Sequence, residues 1–263
     1  HAGYFEKSEL MTLRQFGSRL QGHPERLKLP GLENTSGPLG CGLSQACGMS
    51  LAMRMNNDNF RWIYVVLGDG EQDEGNIWEA AMLAAKYKLH NIVAITDRNN
   101  IQIDGPTEQI MPLEDLRSKW EAFGWYVIEV DGNNIEAFID ACSMARAIVE
   151  KPVMIIAHTV PGKGVDFMEY DFHWHGKPPD HEQAKIALKE IRTLKSQLKQ
   201  KNTIIEKLRK DVCYFESILS NIHDTSSFNR SRQDKPDSPL ASPHKLPVNP
   251  VKRPASDAFP EEN

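Results

Sequence analysis

Long hydrophobic runs are missing from this chain. No apolar stretch reaches the 18 or so residues that span a bilayer, which excludes an integral helical membrane protein. The first residues, opening at His1, carry no charged-then-apolar signal sequence. Cysteine is scarce: Cys41, Cys47, Cys142 and Cys213 form no CxxC pair. Neither a disulfide scaffold nor a structural zinc site is therefore expected, and reduced, buried thiols in a cytoplasmic protein are. Positive charge is thin at the front. Residues 1–180 carry 16 Lys+Arg against 25 Asp+Glu, whereas residues 181–263 carry 15 against 11. An acidic front with scattered bases argues against a broad nucleic-acid surface, and any anion bound there should be held by backbone groups or a metal.

What the 263 residues do contain, at 40% hydrophobic and 25% charged, suffices for one large core. Three regions separate by composition. As far as about Pro179, β-branched runs alternate with glycine turns and helical stretches. The runs Trp62–Leu67 and Asn91–Thr96 read as buried parallel strands. Between them Ile77, Ala80, Ala81, Ala84 and Tyr87 recur at helical spacing from Asn76 to Lys88. Strand, helix, strand at this length is a βαβ unit with a right-handed crossover. A second unit follows, with Trp125–Val130, a helix from about Asn134 to Val149, and Val153–His158. Ahead of both, Ser44 is placed to cap a helix running to about Met55. The expected fold is α/β, a parallel sheet with helices on both faces.

In such a sheet, ligands sit beyond the carboxyl ends of the strands. Asp69, between Gly68 and Gly70, ends one strand, and Asn99 follows another. A carboxylate, a side-chain amide and the backbone carbonyl of Ile101 are oxygen ligands suited to Mg²⁺ or Ca²⁺. The same residues are also favoured turn formers, so both readings stand at this point.

The run GDGEQDEGNIWEA, with Asn99 thirty residues after Asp69 and then IQIDG, resembles the thiamine-diphosphate motif of transketolases. The segments LQGHPE, LPGLENTSGPLGCGLS, DGPTEQIMPLEDLRSKWEAFGW, TVPGKGVDFME and WHGKPP extend the likeness over residues 2–180. It is strongest to the N-terminal subunit of the split bacterial and archaeal type. The resemblance implies thiamine diphosphate, with Mg²⁺ or Ca²⁺ held by Asp69, Asn99 and the carbonyl of Ile101. Gly68 and Gly70 would lie against the diphosphate, and Gly37-Pro38-Leu39 near the aminopyrimidine ring. It further implies His23 and His175 as substrate-channel histidines, His175 also moving protons near neutral pH. Glu74 and Glu79 would join a buried interface network coupling two active sites. Glu79 also stands three residues after Asn76, a capping-box spacing. His173 reads as a surface residue, Lys163 as a loop lysine that could meet a phosphate, and His158 as a satisfied core histidine.

The sequence departs from the family in three ways. The family's opening segment has no counterpart, so the 1–180 domain is expected to be N-terminally truncated. No pyrimidine-binding domain is present either, so a C-terminal transketolase subunit carrying that domain is the expected partner. Beyond 180, residues 181–222 place Ala184, Ala187, Ile191, Leu194, Leu198, Lys201, Ile205, Leu208, Val212, Phe215, Leu219 and Ile222 on a heptad seam. That pattern predicts a coiled coil in a homo-oligomer, or an amphipathic helix packed on the domain. Residues 223–263 read as a disordered Ser/Pro-rich tail. The function implied is transfer of a two-carbon ketol unit between sugar phosphates, in the pentose phosphate pathway. The alternatives are another thiamine-diphosphate enzyme chain, such as a 2-oxoacid dehydrogenase E1, or a non-catalytic coiled-coil interaction protein with a degenerate domain.

Overall fold

In the computed structural model, which describes residues 2–58 and 60–230, the four apolar runs form one parallel sheet. In chain order, helix α1 (Cys41–Met55) precedes β1 (Ile63–Gly68), α2 (Gly75–Lys86) and β2 (Ile92–Arg98). A short hairpin follows, β3 (Ile101–Gln102) with β4 (Gly105–Pro106), then a single helical turn α3 (Thr107–Ile110) and α4 (Leu116–Ala122). The chain continues through β5 (Tyr126–Asp131), α5 (Ile135–Ala147), β6 (Val153–His158) and the long α6 (His181–Arg230). The strand order is β1-β2-β6-β5, with every neighbouring pair parallel. The register sets Gly68 opposite Asp97 and Arg98 opposite His158, so the carboxyl ends of the strands lie level.

The pleat divides the core into two layers. Ile63, Val65, Leu67, Ile92, Ala94, Met154 and Ile156 face α1, α2 and α4, while Val93, Ile95, Val153, Ile155 and Ala157 face α5. The central strands are apolar on both faces because both are covered. Strand β1, expected to be buried, is covered on one face only. Its Val66 is 70% and Tyr64 46% exposed, because α5 packs over β2, β5 and β6 and stops short of that edge.

The tryptophans anchor the first layer. Trp120 and Trp125 are fully buried at 5.0 Å edge-to-face, and Trp78 lies 5.2 Å from Trp120. Each indole finds an acceptor, as buried Trp requires. Trp125 Nε1 donates to the Ala81 carbonyl (3.0 Å), Trp78 Nε1 to the Gln72 carbonyl (3.0 Å) and Trp120 Nε1 to Gln72 Oε1 (2.8 Å). Gln72 Nε2 in turn donates to Thr96 Oγ1 on β2 (3.1 Å), so this buried amide fastens the turn after β1 to both β2 and α4.

Helix α1 starts three residues before Ser44, with Gly40 at its N-cap in the left-handed region (φ 77°). Ser44 is therefore not the cap; its hydroxyl donates to Asn76 Oδ1 across to α2 (3.0 Å). Nor do Asn76 and Glu79 form a capping box. Glu74 holds the N-cap position of α2 without a side-chain bond, and Asn76 is occupied by α1 and the loop before it.

The start of α6 belongs to the domain. Ala187 is buried, Glu190 Oε2 accepts the Asp166 N–H (3.0 Å), and Leu194 packs beside Gly164. From Leu198 onward the helix belongs to a separate compact unit, in which Leu198, Ile205, Leu208, Val212 and Phe215 are 45–61% exposed. The helix runs to Arg230, eight residues into the stretch expected to be a disordered tail. The remainder of that tail, 231–263, lies outside the described residues.

Candidate functional site

Two strand ends meet at the carboxyl edge of the sheet. Asp69, 1% exposed, follows β1, and Asn99 follows β2. Asp69 Oδ2 accepts three hydrogen bonds, from the Asn100 N–H (2.7 Å), Arg98 Nη1 (3.0 Å) and Thr107 Oγ1 (3.2 Å). Its Oδ1 accepts one, from the Gly70 N–H (2.7 Å). Asn99 Oδ1 accepts the Ile101 N–H (3.0 Å), and its Nδ2 donates to Asp97 Oδ2 (2.9 Å). Asn99 is thus a turn former in fact, whereas Asp69 does far more than close a turn. Gly70 is hemmed in, since a Cβ there would stand 2.8 Å from Gln102 Cγ.

These groups lie together, and their chemistry fits a hard cation. Asp69 Oδ1 and Asn99 Oδ1 each have capacity beyond the single bond they accept, and both are oxygen donors of the kind Mg²⁺ and Ca²⁺ prefer. Among the described residues, no group of three or more His, Cys, Asp or Glu side chains could hold a metal. A cation here would therefore depend on the carboxylate, the amide, a carbonyl and oxygens of its own ligand.

Sequence reasoning overlooked Arg98. It closes β2 at 1% exposure, and its guanidinium meets Asp69, Glu108 (Nη2–Oε1) and Glu114 (2.8 Å). Burial alone would lower its pKa, but the hydrogen bonds to Glu114, Glu108 and Asp69 outweigh that and hold it above the ordinary arginine value. Glu108 shows the reciprocal balance. Burial raises its carboxyl, yet Arg98 and the N–H groups of Leu113 and Glu114 bring it below the usual range. The available signal was an arginine at the end of an apolar strand, where it must find partners.

The glycine-rich loop Gly37-Pro38-Leu39 is held against this corner through Gly40. Glu71 Oε1 accepts the Gly40 N–H (2.7 Å) while its Oε2 accepts the Gly68 N–H (3.1 Å), and Asn76 Nδ2 donates to the Gly40 carbonyl (3.0 Å). His23 packs on Gly37, whose Cβ would lie 3.5 Å from the histidine side chain. Glu74 lies beside Gly40, where an added Cβ would stand 3.0 Å from Glu74 Cβ. Glu79 is exposed along α2, apart from the Asp69 corner. His175 is exposed at the end of a short turn, Phe172–Trp174, that packs against β4. His173 is a surface residue paired to Asp171 (2.6 Å), and Lys163 is exposed. His158 is no core histidine. Its ring is half exposed and meets Glu129 Oε2 at 2.9 Å, because the last residue of β6 stands at the carboxyl edge of the sheet.

The family model described as the transketolase thiamine diphosphate binding domain matches residues 2–215, running past Pro179 into α6. The chain is 43% identical over 200 residues to one chain of the apulose-4-phosphate transketolase of Phocaeicola vulgatus, covering 76% of this chain and 70% of that one. It is 42% identical over 189 residues to a 6-deoxy-6-sulfo-D-fructose transketolase subunit of a Clostridium species, covering 72% and 68%. The crystal structure of transketolase from Campylobacter jejuni superimposes with a TM-score of 0.59 at 27% identity, over 73% of this chain and 35% of that one. The chain therefore spans a little over two thirds of the two relatives and about a third of that enzyme.

Proposed function

The chain belongs to the transketolase thiamine-diphosphate-binding family, and from that premise we propose that it forms the cofactor-diphosphate half of a two-chain transketolase. The reaction is transfer of a two-carbon ketol unit between sugar phosphates. The observation that carries the reading is the meeting of Asp69, Gly70 and Asn99 at the ends of β1 and β2, with loop 37–39 fastened beside them through Gly40. In this reading Asp69, Asn99 and the Ile101 carbonyl hold Mg²⁺ or Ca²⁺, and the Gly68 and Gly70 backbone lies along the diphosphate. Loop 37–39 borders the aminopyrimidine. When bound, the cofactor supplies the electron sink for breaking and making the carbon–carbon bond.

The remaining roles belong to this chain's side chains. His23, on Gly37, hydrogen-bonds a donor hydroxyl, and His175 binds substrate and moves a proton. Glu74 and Glu79 couple two active sites across an interface. Relatives named as transketolase subunits support a second chain, here one carrying the pyrimidine-binding domain, without which this chain is inactive. From Leu198 the exposed seam of α6 supports pairing with a second copy. The assembly works in the cytoplasm, in the pentose phosphate pathway.

Titration with thiamine diphosphate and Mg²⁺ tests the site. Asp69→Ala removes the one charged ligand, so cofactor affinity should collapse while the circular dichroism spectrum is kept. Unchanged binding with an intact fold would leave Asp69 a purely structural residue. With a pyrimidine-domain partner added, ketose-phosphate donors should be consumed. Pyruvate turnover without them would favour a 2-oxoacid dehydrogenase, and no cofactor binding at all would favour an interaction protein.

A further inference from the structure

We infer that Arg98 is a positioning residue for the cation site: it locks the Asp69 carboxylate with Oδ1 available and latches the segment 107–114 to it. The inference rests on the reading of Asp69 as a cation ligand. Its basis is the asymmetry of that carboxylate. Oδ2 accepts from Arg98 Nη1, the Asn100 N–H and Thr107 Oγ1, which uses up its lone pairs, whereas Oδ1 accepts only the Gly70 N–H. Turning the carboxylate about its Cβ–Cγ bond would break all three bonds to Oδ2 at once.

The far side of the guanidinium explains the latch. Arg98 Nη2 bonds both Glu108 Oε1 and Glu114 Oε1, so one planar cation spans three segments of chain: the turn after β1, α3, and the residue two before α4. Asp69 and Arg98 are both 2% exposed at the side chain, while Glu108 and Glu114 are 38% and 56% exposed. The rigid fork of arginine makes this geometry, with Nη1 on Asp69 and Nη2 on Glu108 and Glu114; a lysine ammonium carries the charge as a single point and cannot reproduce that spread.

Charge and position act here in opposite directions, which makes the inference decidable. Arg98 is a cation beside a cation site, so on charge alone its removal would strengthen metal binding. Losing the lock on Asp69 would weaken it. Groups that orient a metal ligand typically cost about 10- to 100-fold in affinity when removed.

The experiment titrates Mn²⁺ into the full chain with saturating thiamine diphosphate, reading free Mn²⁺ by electron paramagnetic resonance, with no turnover involved. Arg98→Met and Arg98→Lys should both weaken Mn²⁺ binding by about 10- to 100-fold. Arg117→Met, which breaks a comparable ion-pair cluster with Glu121 and Glu129, should leave it unchanged. Tighter binding in Arg98→Met, or unaltered binding in Arg98→Lys with the fold intact, would overturn the assignment. If Arg98→Met does not fold, Arg98→Lys, which keeps the charge, carries the decision. An absence of Mn²⁺ binding by the unsubstituted chain would overturn the cofactor reading itself, and this inference with it.

Discussion

Glu71 Oε1 and the Gly40 N–H, 31 positions apart in sequence, form a 2.7 Å hydrogen bond that joins the glycine-rich loop to the end of β1. The other carboxylate oxygen accepts the Gly68 N–H at 3.1 Å, so a single side chain holds two backbone segments of the proposed cofactor site. Glu71→Gln keeps one acceptor oxygen but turns an NH₂ group toward a backbone donor. Losing a bond to a charged group costs about 1.5–3 kcal/mol. The Gly40 amide should then exchange with solvent roughly 10- to 150-fold faster, as measured by hydrogen exchange. An unchanged rate would mean that Asn76 alone holds the loop.

Trp120→Phe retains most of the buried ring and removes the donor that satisfies Gln72 Oε1. An unsatisfied buried acceptor of this kind costs about 2 kcal/mol. For a domain of this size, Tm should fall by about 4–8 °C. The melting curve is the check, and an unshifted Tm would show that Gln72 finds another donor.

Thiol chemistry should separate the cysteines. Burial pushes the Cys47 thiol up to about 11, so at pH 8 only about 0.1% of it is thiolate, and it is out of reach as well. Cys213 is exposed. A disulfide reagent added to native protein should label Cys213 within seconds and Cys47 only on unfolding. Rapid labelling of Cys47 in the folded chain would contradict its burial under α2.

Acid should weaken the Arg98 hub through Glu108. The folded-state pKa of Glu108 is lowered, so its contribution is fully present above the ordinary value of 4.5 and lost as pH falls through the depressed one. Stability of Glu108→Gln, measured by urea unfolding, should therefore approach that of the unsubstituted chain as pH falls below the ordinary value of 4.5. A gap that stays constant as the pH is lowered through and below 4.5 would count against the ion pair.

If the exposed seam of α6 pairs with a second copy, removing residues 198–263 should reduce the association state seen by sedimentation. The proposed cofactor site, whose residues all precede Pro179, should bind as before. Equal association states in the long and shortened chains would remove the coiled-coil reading.

Much of this protein was determined locally. Apolar runs of strand length, helical spacing between them and glycine-flanked turns are short-range patterns, so the parallel sheet, its crossover helices and the positions of Asp69 and Asn99 were readable from residue order. Periodicity also marked α6 as helix from 181 to 222, though not its last eight residues. It could not say where the helix leaves the domain, because Glu190 and Leu194 meet Asp166 and Gly164 only once the chain has folded back. Three further features came from the tertiary structure alone. The open face of β1 depends on how far α5 reaches across the sheet, which no strand encodes by itself. His158 at the rim, rather than in the core, depends on β6 ending level with β2 and β5, which its own residues do not encode. The pairing of Arg98 with Asp69, Glu108 and Glu114 joins residues 10 to 29 positions apart. A buried charge must find partners, and residue order states that need without naming them; only the fold brings particular carboxylates within reach.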